Sequence, residues 1–501
     1  VYLIGAGPGD PELITVKGLH CLQRADCVIH DYLVNAELLD HAPPTAERIN
    51  VGKKGGQSHI PQEQINALIV EKVRAGKHVA RLKGGDPFIF GRGGEEAAAL
   101  VEAGLPFEVV PGITSGYAAP AYAGIPVTHR DFSASVTFIT GHEDPGKEDS
   151  LIAWDKIARS SGTLVFFMAV RNLPEIVKNL VEHGSSPNTP IALIQWGTYP
   201  RQEVLTGTLA SIVEQVQATG FSAPAITVVG EVVRLREQLK WFENRPLSGR
   251  RILVTRSKEQ AESLQIQLSE LGAEVLLFPT IELRPPVSWA PLDEAIGRIE
   301  QYQWLIFTSV NGVKNFFGRF EAARKDVRDL QGIKISAIGP ATERAIRELH
   351  LCVEVIPDEF KAEGLVESLK GRVLKGARVL IPRAKVARDV LPVELSKQGA
   401  QVEVVDAYET VIPEGGHSLW ERILEGGPLD LVVFTSSSSV SNLAEMLAPI
   451  PLPQALEGIR VAAIGPITAK TAQDLGLRVS VQPQRYTVPA LVEAISEALS
   501  K

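Results

Sequence analysis

Four short blocks recur in the same order between residues 250 and 501. Arg251-Ile252-Leu253-Val254-Thr255-Arg256 returns as Arg378-Val379-Leu380-Ile381-Pro382-Arg383, and Leu271-Gly272-Ala273-Glu274-Val275 as Gln398-Gly399-Ala400-Gln401-Val402. Trp304-Leu305-Ile306-Phe307-Thr308-Ser309 returns as Leu431-Val432-Val433-Phe434-Thr435-Ser436, and Ala337-Ile338-Gly339-Pro340-Ala341-Thr342 as Ala463-Ile464-Gly465-Pro466-Ile467-Thr468. The offset is 127 residues for the first three pairs and 126 for the last. Each block is a short apolar run, a polar turn and then a helical pattern, which is the βα grammar of a parallel sheet. The repeat therefore predicts a duplicated α/β unit over 250–501.

The repeated hydroxyls fall where a strand ends and a helix begins. Ser, Thr and Asn cap helices well, which accounts for one such block. Two related blocks at matched positions point further, to free N–H groups and positive dipole ends that receive carboxylates.

The first half carries no such duplication. It opens on a strand, Val1-Tyr2-Leu3-Ile4, and βα patterns follow around Val79–Leu82, Phe107–Val110, Val136–Thr140, Leu164–Met168, Ile191–Gln195 and Ile226–Val229. A second lobe is expected from about Gly116. Trp241 to Gly249 mixes Pro, Gly and polar residues, and is expected to be a linker.

Composition narrows the function classes. The chain has 501 residues, 45% apolar and 22% charged, enough for several packed domains. No apolar run approaches the ~20 residues of a membrane span, and no secretory leader is seen at the start. Cys21, Cys27 and Cys352 form neither a disulfide framework nor a metal cluster, so a reducing, cytoplasmic setting and no metal are expected. The net charge of −8 argues against a nucleic-acid surface. Residues 51–100 go the other way, with eight Lys/Arg against five Asp/Glu, and are expected to supply a local basic zone.

Gly5-Ala6-Gly7-Pro8-Gly9-Asp10 follows the first strand and approaches the dinucleotide fingerprint, but Asp10 stands where the third glycine belongs and Pro8 removes an N–H. A carboxylate there repels pyrophosphate, so the turn suits a ligand that comes close to backbone and carries no phosphate. Residues 81–96, RLKGGDPFIFGRGGEE, form the densest stretch, with five glycines in sixteen residues, three basic residues and three acids. Pro111-Gly112-Ile113-Thr114-Ser115 and Gly124-Ile125-Pro126-Val127-Thr128-His129-Arg130 add turns at strand ends.

With these motifs, and His30-Asp31-Tyr32-Leu33-Val34, residues 1–240 resemble the tetrapyrrole methylase family, and within it the uroporphyrinogen-III C-methyltransferases. The second half resembles uroporphyrinogen-III synthase, through the doubled FTS and AIGP blocks and Asp406-Ala407-Tyr408-Glu409-Thr410-Val411. The resemblance implies an α/β fold: a two-lobed methylase (about 1–115 and 116–240), a linker at 241–249, and a two-lobed synthase with duplicated parallel-sheet lobes. Its first lobe spans about 250–283 plus 413–501, and its second about 284–412.

The same resemblance implies S-adenosyl-L-methionine as methyl donor, contacted by Pro8, Gly84, Gly85, Asp86, Ile89, Thr114, Ser115, Met168, Gly197 and Ala225. It makes Asp31 the proton acceptor and Lys53 the proton donor, with Arg92, Glu95 and Arg130 on the substrate side. In the second half it makes Tyr408 the catalytic candidate, with Thr308, Ser309, Thr342, Thr435, Ser436 and Thr468 holding carboxylates; the synthase half needs no cofactor. Ala169 departs from the glycine common in the family after Met168. The expected function is bifunctional: hydroxymethylbilane closes to uroporphyrinogen III, which is methylated twice to precorrin-2 for sirohaem and cobalamin. A homodimer through the methylase half is expected. The rival expectations are a methylase of a later corrin intermediate and a two-lobed anion-binding module in the second half.

Overall fold

The structure is a computed structural model that describes residues 1–52, 60–142, 151–372 and 375–500. Its contacts gather the described residues into two compact units, Val1–Ile252 with 264–275 and 492–501, and Leu253–Ser263 with Leu276–Leu491. Among the described residues no helix is long and apolar enough to cross a membrane.

Ten strands build two sheets in the first half. β1 (Tyr2–Gly5), β2 (Cys27–His30), β3 (Glu47–Asn50), β4 (Val79–Lys83) and β5 (Glu108–Val110) form a wholly parallel sheet in the order β3-β2-β4-β1-β5. β6 (Val136–Thr140), β7 (Thr163–Phe167), β8 (Pro190–Gln195), β9 (Glu203–Thr208) and β10 (Ala225–Val229) form a second, in the order β6-β7-β10-β8-β9. This second sheet is mixed. β10 runs antiparallel to both β7 and β8, and β8 and β9 pair antiparallel. Only seven residues separate β8 from β9, too few for a crossover helix, so the chain must turn straight back.

β4 is the central strand of the first sheet, and all five of its residues are buried. Val79, Ala80 and Leu82 fit a strand covered on both faces. Arg81 and Lys83 do not, and their burial shapes the site described below.

The segment 241–249 is docked rather than free. Phe242 and Leu247 are buried, and the Trp241 Nε1–H donates to Ala121 O at 3.1 Å. Tyr122 packs its ring on Trp241 and Phe242, and the Arg245 guanidinium lies 3.9 Å over Phe242. Its Pro and Gly turn the chain; its aromatics hold it down.

The second half adds β11 (Arg251–Val254), β12 (Glu274–Leu277), β13 (Glu282–Arg284), β14 (Trp304–Phe307), β15 (Lys334–Ala337), β16 (Arg378–Ala384), β17 (Gln401–Val411), β18 (Leu431–Phe434), β19 (Arg460–Ala463) and β20 (Val479–Val481). Their sheets run β12-β11-β18-β19-β20 and β13-β17-β16-β14-β15. In repeat terms the two orders coincide, because β12-β11-β18-β19 matches β17-β16-β14-β15. Each sheet thus joins the opening strands of one repeat copy to the later strands of the other. β13 lies antiparallel on β17, whereas β14 to β17 and β18 to β20 pair in parallel. Phe307, Phe316 and Phe320 are buried together behind β14, with ring centroids 5.5 and 5.6 Å apart.

Candidate active sites

In the first half, two turns after neighbouring strands are fastened to each other. Ala6 N–H donates to Lys83 O at 2.7 Å, and Gly7 and Gly85 exchange backbone hydrogen bonds of 3.2 and 2.7 Å. This brings Pro8 and Gly84–Asp86 to one sheet edge, at the strands' carboxyl ends, where open α/β sheets take ligands. The glycines there have different reasons. Gly5 and Gly112 are needed for packing, since a Cβ on Gly5 would lie 2.5 Å from Gly112 Cα. Gly197 is packed against Ala119, since a Cβ on Gly197 would lie 2.4 Å from the Ala119 Cβ. Gly85 takes a left-handed φ of 71°. Gly84 has none of these reasons: it is exposed, and among the described residues a Cβ there would meet only Leu33 Cβ at 3.9 Å. Its bare backbone faces open space.

Asp86 is already engaged. Its carboxylate accepts from Phe88 N–H at 2.8 Å and Gly112 N–H at 3.0 Å, so it shapes the loop that carries Ile89. Thr114 caps the helix Ser115–Tyr122, accepting from Gly116 N–H at 3.4 Å. Asp10 also has structural work: it caps a short turn through Glu12 N–H and accepts from Tyr122 O–H at 2.8 Å. Burial, with that carboxylate beside it, pushes the Tyr122 pKa well up.

Met168 follows β7 with a left-handed φ of 55° and is 53% exposed. Trp196 and Thr198, after β8, share that conformation at 48° and 75°. Such residues cost ~1–3 kcal/mol each and persist where surrounding structure holds them. Thr198 Oγ1 accepts from Asp10 N–H at 3.0 Å, tying this strained turn to the first loop. Gly197 lies inside it, and Ala225 begins the neighbouring strand β10. Motif reading singled out Met168 and Gly197 but not the strained Trp196 and Thr198, which leave no mark in the sequence.

Asp31 follows β2, and its Oδ1 accepts from Arg81 Nη2 at 2.5 Å. Arg81 reaches back through Nε to Glu96 Oε1 at 3.0 Å, and Lys83 Nζ donates to that same oxygen at 2.8 Å. Arg81, Lys83 and Glu96 are 1–2% exposed. Burial pulls the Lys83 pKa below its ordinary value, with the Arg81 charge adding to the effect. Sequence reading did not assign these three residues a role, although two cations spaced by two on an all-buried strand were the available signal.

That cluster corrects the expected basic zone. Arg81 and Lys83 are spent on Asp31 and Glu96, Lys72 and Lys77 on Glu47, and Arg92 on Glu95 through 2.8 and 2.7 Å bonds. Alternation along β4 puts Arg81 and Lys83 on one face, and both faces are covered, so counting charges by sequence window overstates the surface charge. Arg130 is exposed and makes no ion pair among the described residues. Lys53 lies outside the described residues.

The second half presents two sites related by the repeat. In one, Ser309 caps the helix Val310–Ala322, accepting from Gly312 N–H at 3.0 Å, and its Oγ lies 3.0 Å from Tyr408 Oη. Thr308 precedes it, half-buried, and Thr342 is buried in the first turn of the helix Pro340–Arg347. In the other, Ser436 caps the helix Ser437–Met446, accepting from Ser439 N–H at 3.2 Å. Thr435 precedes it, and Thr468 is buried in the first turn of the helix Pro466–Asp474. The caps share one backbone shape, φ/ψ −162/157° at Ser309 and −157/156° at Ser436. No group of acids, His and Cys able to hold a metal occurs among the described residues.

Comparison with known proteins joins the two halves. The family model for Tetrapyrrole (Corrin/Porphyrin) Methylases matches residues 1–213, and that for uroporphyrinogen-III synthase HemD matches 262–493. A porphyrin biosynthesis protein HemD of Ruminiclostridium josui is 38% identical over 498 residues, covering 99% of this chain and 97% of its own. A uroporphyrinogen-III C-methyltransferase of Bacillus subtilis is 38% identical over 463 residues, 91% of this chain and 89% of its own. An S-adenosyl-L-methionine-dependent uroporphyrinogen III methyltransferase of Methanosarcina barkeri is 52% identical over 239 residues, 48% of this chain and 94% of its own. With both domains present in order and a full-length relative at this identity, the chain belongs to the family in which a tetrapyrrole methylase is fused to a uroporphyrinogen-III synthase.

Proposed function

We propose that the chain closes hydroxymethylbilane to uroporphyrinogen III in its second half and methylates that product twice, to precorrin-2, in its first. The observation that carries the methylase reading is Gly84, an exposed backbone beside the zipped Gly7–Gly85 turns with no packing reason to be glycine. Such a surface fits a ligand that lies on the main chain without a phosphate, as S-adenosyl-L-methionine does. When bound, that group supplies an electrophilic methyl. Pro8, Gly84, Gly85, Ile89, Thr114, Ser115, Met168, Gly197 and Ala225 would hold it, with Asp86 keeping the loop in shape.

The pyrrole carbon is already nucleophilic, so the protein's task is to align it and take one proton. Asp31 serves as acceptor; Arg81 holds its carboxylate in place from the buried side. Lys53 is assigned the donor role. Arg130 meets substrate carboxylates, and Arg92 does so in exchange for Glu95, whose pKa it holds down. In the second half, the Tyr408 hydroxyl, oriented by Ser309, donates to the departing hydroxyl of the linear substrate. Thr308, Thr342, Thr435, Ser436 and Thr468 belong to the carboxylate-holding surface.

The lobe boundaries near 115, 245, 283 and 412, a homodimer through the first half and a cytoplasmic location complete the reading. Supplying hydroxymethylbilane and S-adenosyl-L-methionine together tests it, with a dimethylated type III product expected. Unmethylated uroporphyrinogen accumulating would overturn the first-half assignment. Type I products alone would overturn the second.

A further inference from the structure

The repeat places Arg256 and Arg383 at equivalent positions, and the structure treats them differently. Arg383 is buried and committed: Nη1 donates to Arg388 O at 2.9 Å and Nη2 pairs with Asp389. Arg256 is half-buried and makes no hydrogen bond or ion pair among the described residues. It lines a cavity with Gln260, Ile281, Ser436 and Ser438. Burial without a partner pulls its pKa below the usual guanidinium range. Glu262, which stands 127 residues before Asp389, is exposed.

The other polar groups around this cavity are arranged to leave Arg256 open. Thr255 Oγ1 donates to Val433 O and Thr280 Oγ1 to Thr255 O, both at 2.8 Å, so these hydroxyls tie strand ends together. Ser436 is occupied as the cap, while the first N–H groups of its helix have no intrahelical partner. Beside Arg256, the buried Ser257 hydroxyl has no hydrogen-bond partner among the described residues either. A desolvated cation next to a helix N-terminus, with no anion, is an unfavourable arrangement until an anion arrives. A planar carboxylate answers both groups at once.

We propose that Arg256 binds one carboxylate side chain of the linear tetrapyrrole in this cavity, and that Arg383, already paired, does not. This rests on the second half being the ring-closing enzyme. The two sites thereby divide the work, since position 281 is Ile where the other copy has Tyr408. One site anchors by charge; the other carries the hydroxyl chemistry.

The test uses the full chain, with Arg256→Gln, Arg256→Lys and Arg383→Gln variants. The first readout is the KM for hydroxymethylbilane; the second is hydrogen-exchange protection of the Thr435–Asn442 segment by uroporphyrin I, a stable octacarboxylate. Arg256→Gln should raise KM about tenfold or more and lose the protection. Arg256→Lys should recover part of both, and Arg383→Gln should keep the protection. Methylation of supplied uroporphyrinogen III should be unchanged in Arg256→Gln, which reports that the chain is folded. Wild-type chain without protection overturns the cavity assignment, and protection retained in Arg256→Gln overturns the role of Arg256. Protection in a wild-type chain that fails to close hydroxymethylbilane overturns the ring-closing reading and leaves the carboxylate cavity standing.

Discussion

The two copies of the repeat share strand order, cap geometry and even the backbone angles of Ser309 and Ser436, yet differ in the side chains that face each site. One copy pairs its arginine with Asp389 and places Tyr408 against the cap; the other leaves Arg256 without an anion and has Ile281 in the tyrosine's place. Duplication preserved what the backbone requires, namely a capped helix after a strand. Divergence acted on what a ligand meets. The first half offers a third arrangement, in which Arg81 is shared between two carboxylates and shut away from solvent. Among the described residues the three arginines form a series from doubly paired, through singly paired, to unpaired.

The largest expected effect is at the paired end. Glu96→Ala leaves Arg81 and Lys83 buried without their shared acceptor, which should cost about 3–5 kcal/mol. It is read as a lowered urea midpoint for the unfolding of the first half; an unchanged midpoint would mean that the cluster is neutral in the fold. Next, Tyr408→Phe keeps the ring and removes the hydroxyl, so ring closure should slow about 100-fold with little change in melting temperature. A full rate in that variant would remove the chemical distinction between the copies.

The caps provide the fairest comparison. Ser309→Ala and Ser436→Ala should each cost about 1 kcal/mol, because both lose the same cap hydrogen bond. Ser309→Ala should also lower kcat for ring closure, by releasing Tyr408, whereas Ser436→Ala, on the carboxylate-holding surface, should act on KM. Equal kinetic effects would show that the hydroxyl contact at 3.0 Å has no role.

The smallest effect is a pH dependence. Arg328 and its own N–H hold the Asp326 carboxyl at about 2, below the ordinary 3.8. A depressed carboxyl pKa stabilises the fold above pH 3.8, and that contribution disappears as pH falls towards 2. Asp326→Asn should therefore melt slightly lower than wild type at pH 6, with the gap closing at acid pH. The matching turn in the other copy, Leu452–Ala455, starts on Pro451 without a side-chain cap, so no such dependence is expected there.

Legibility from sequence followed the physics of each feature. Strands with continuous apolar runs, such as Leu164–Phe167 and Ile191–Ile194, could be read directly. β9 could not, because Glu203–Thr208 is an edge strand with no buried residue. The antiparallel direction of β10 was hidden as well, since apolar runs carry no sign of direction. Gly84 and Gly197 looked alike as motif glycines, and only three-dimensional contacts separate open backbone from close packing. Tyr408 was singled out from its motif, but its meeting with Ser309, 99 residues away, depends on the sheet order.

The exchange of strands between copies has a consequence for synthesis. β11 and β12 are complete by residue 277, but β18, the strand on the other side of β11, ends only at residue 434. At ~5–20 residues per second, the ribosome takes on the order of ten to thirty seconds to make the intervening chain. For that interval one side of a buried strand has no partner, a template for wrong pairing with neighbouring nascent chains. The other sheet, β13 to β17, closes within its own contiguous stretch. Premature termination between residues 411 and 431 would thus leave one sheet complete and orphan β11 and β12, so such shortened chains should be marked for chaperone capture by their opening strands rather than by their ends.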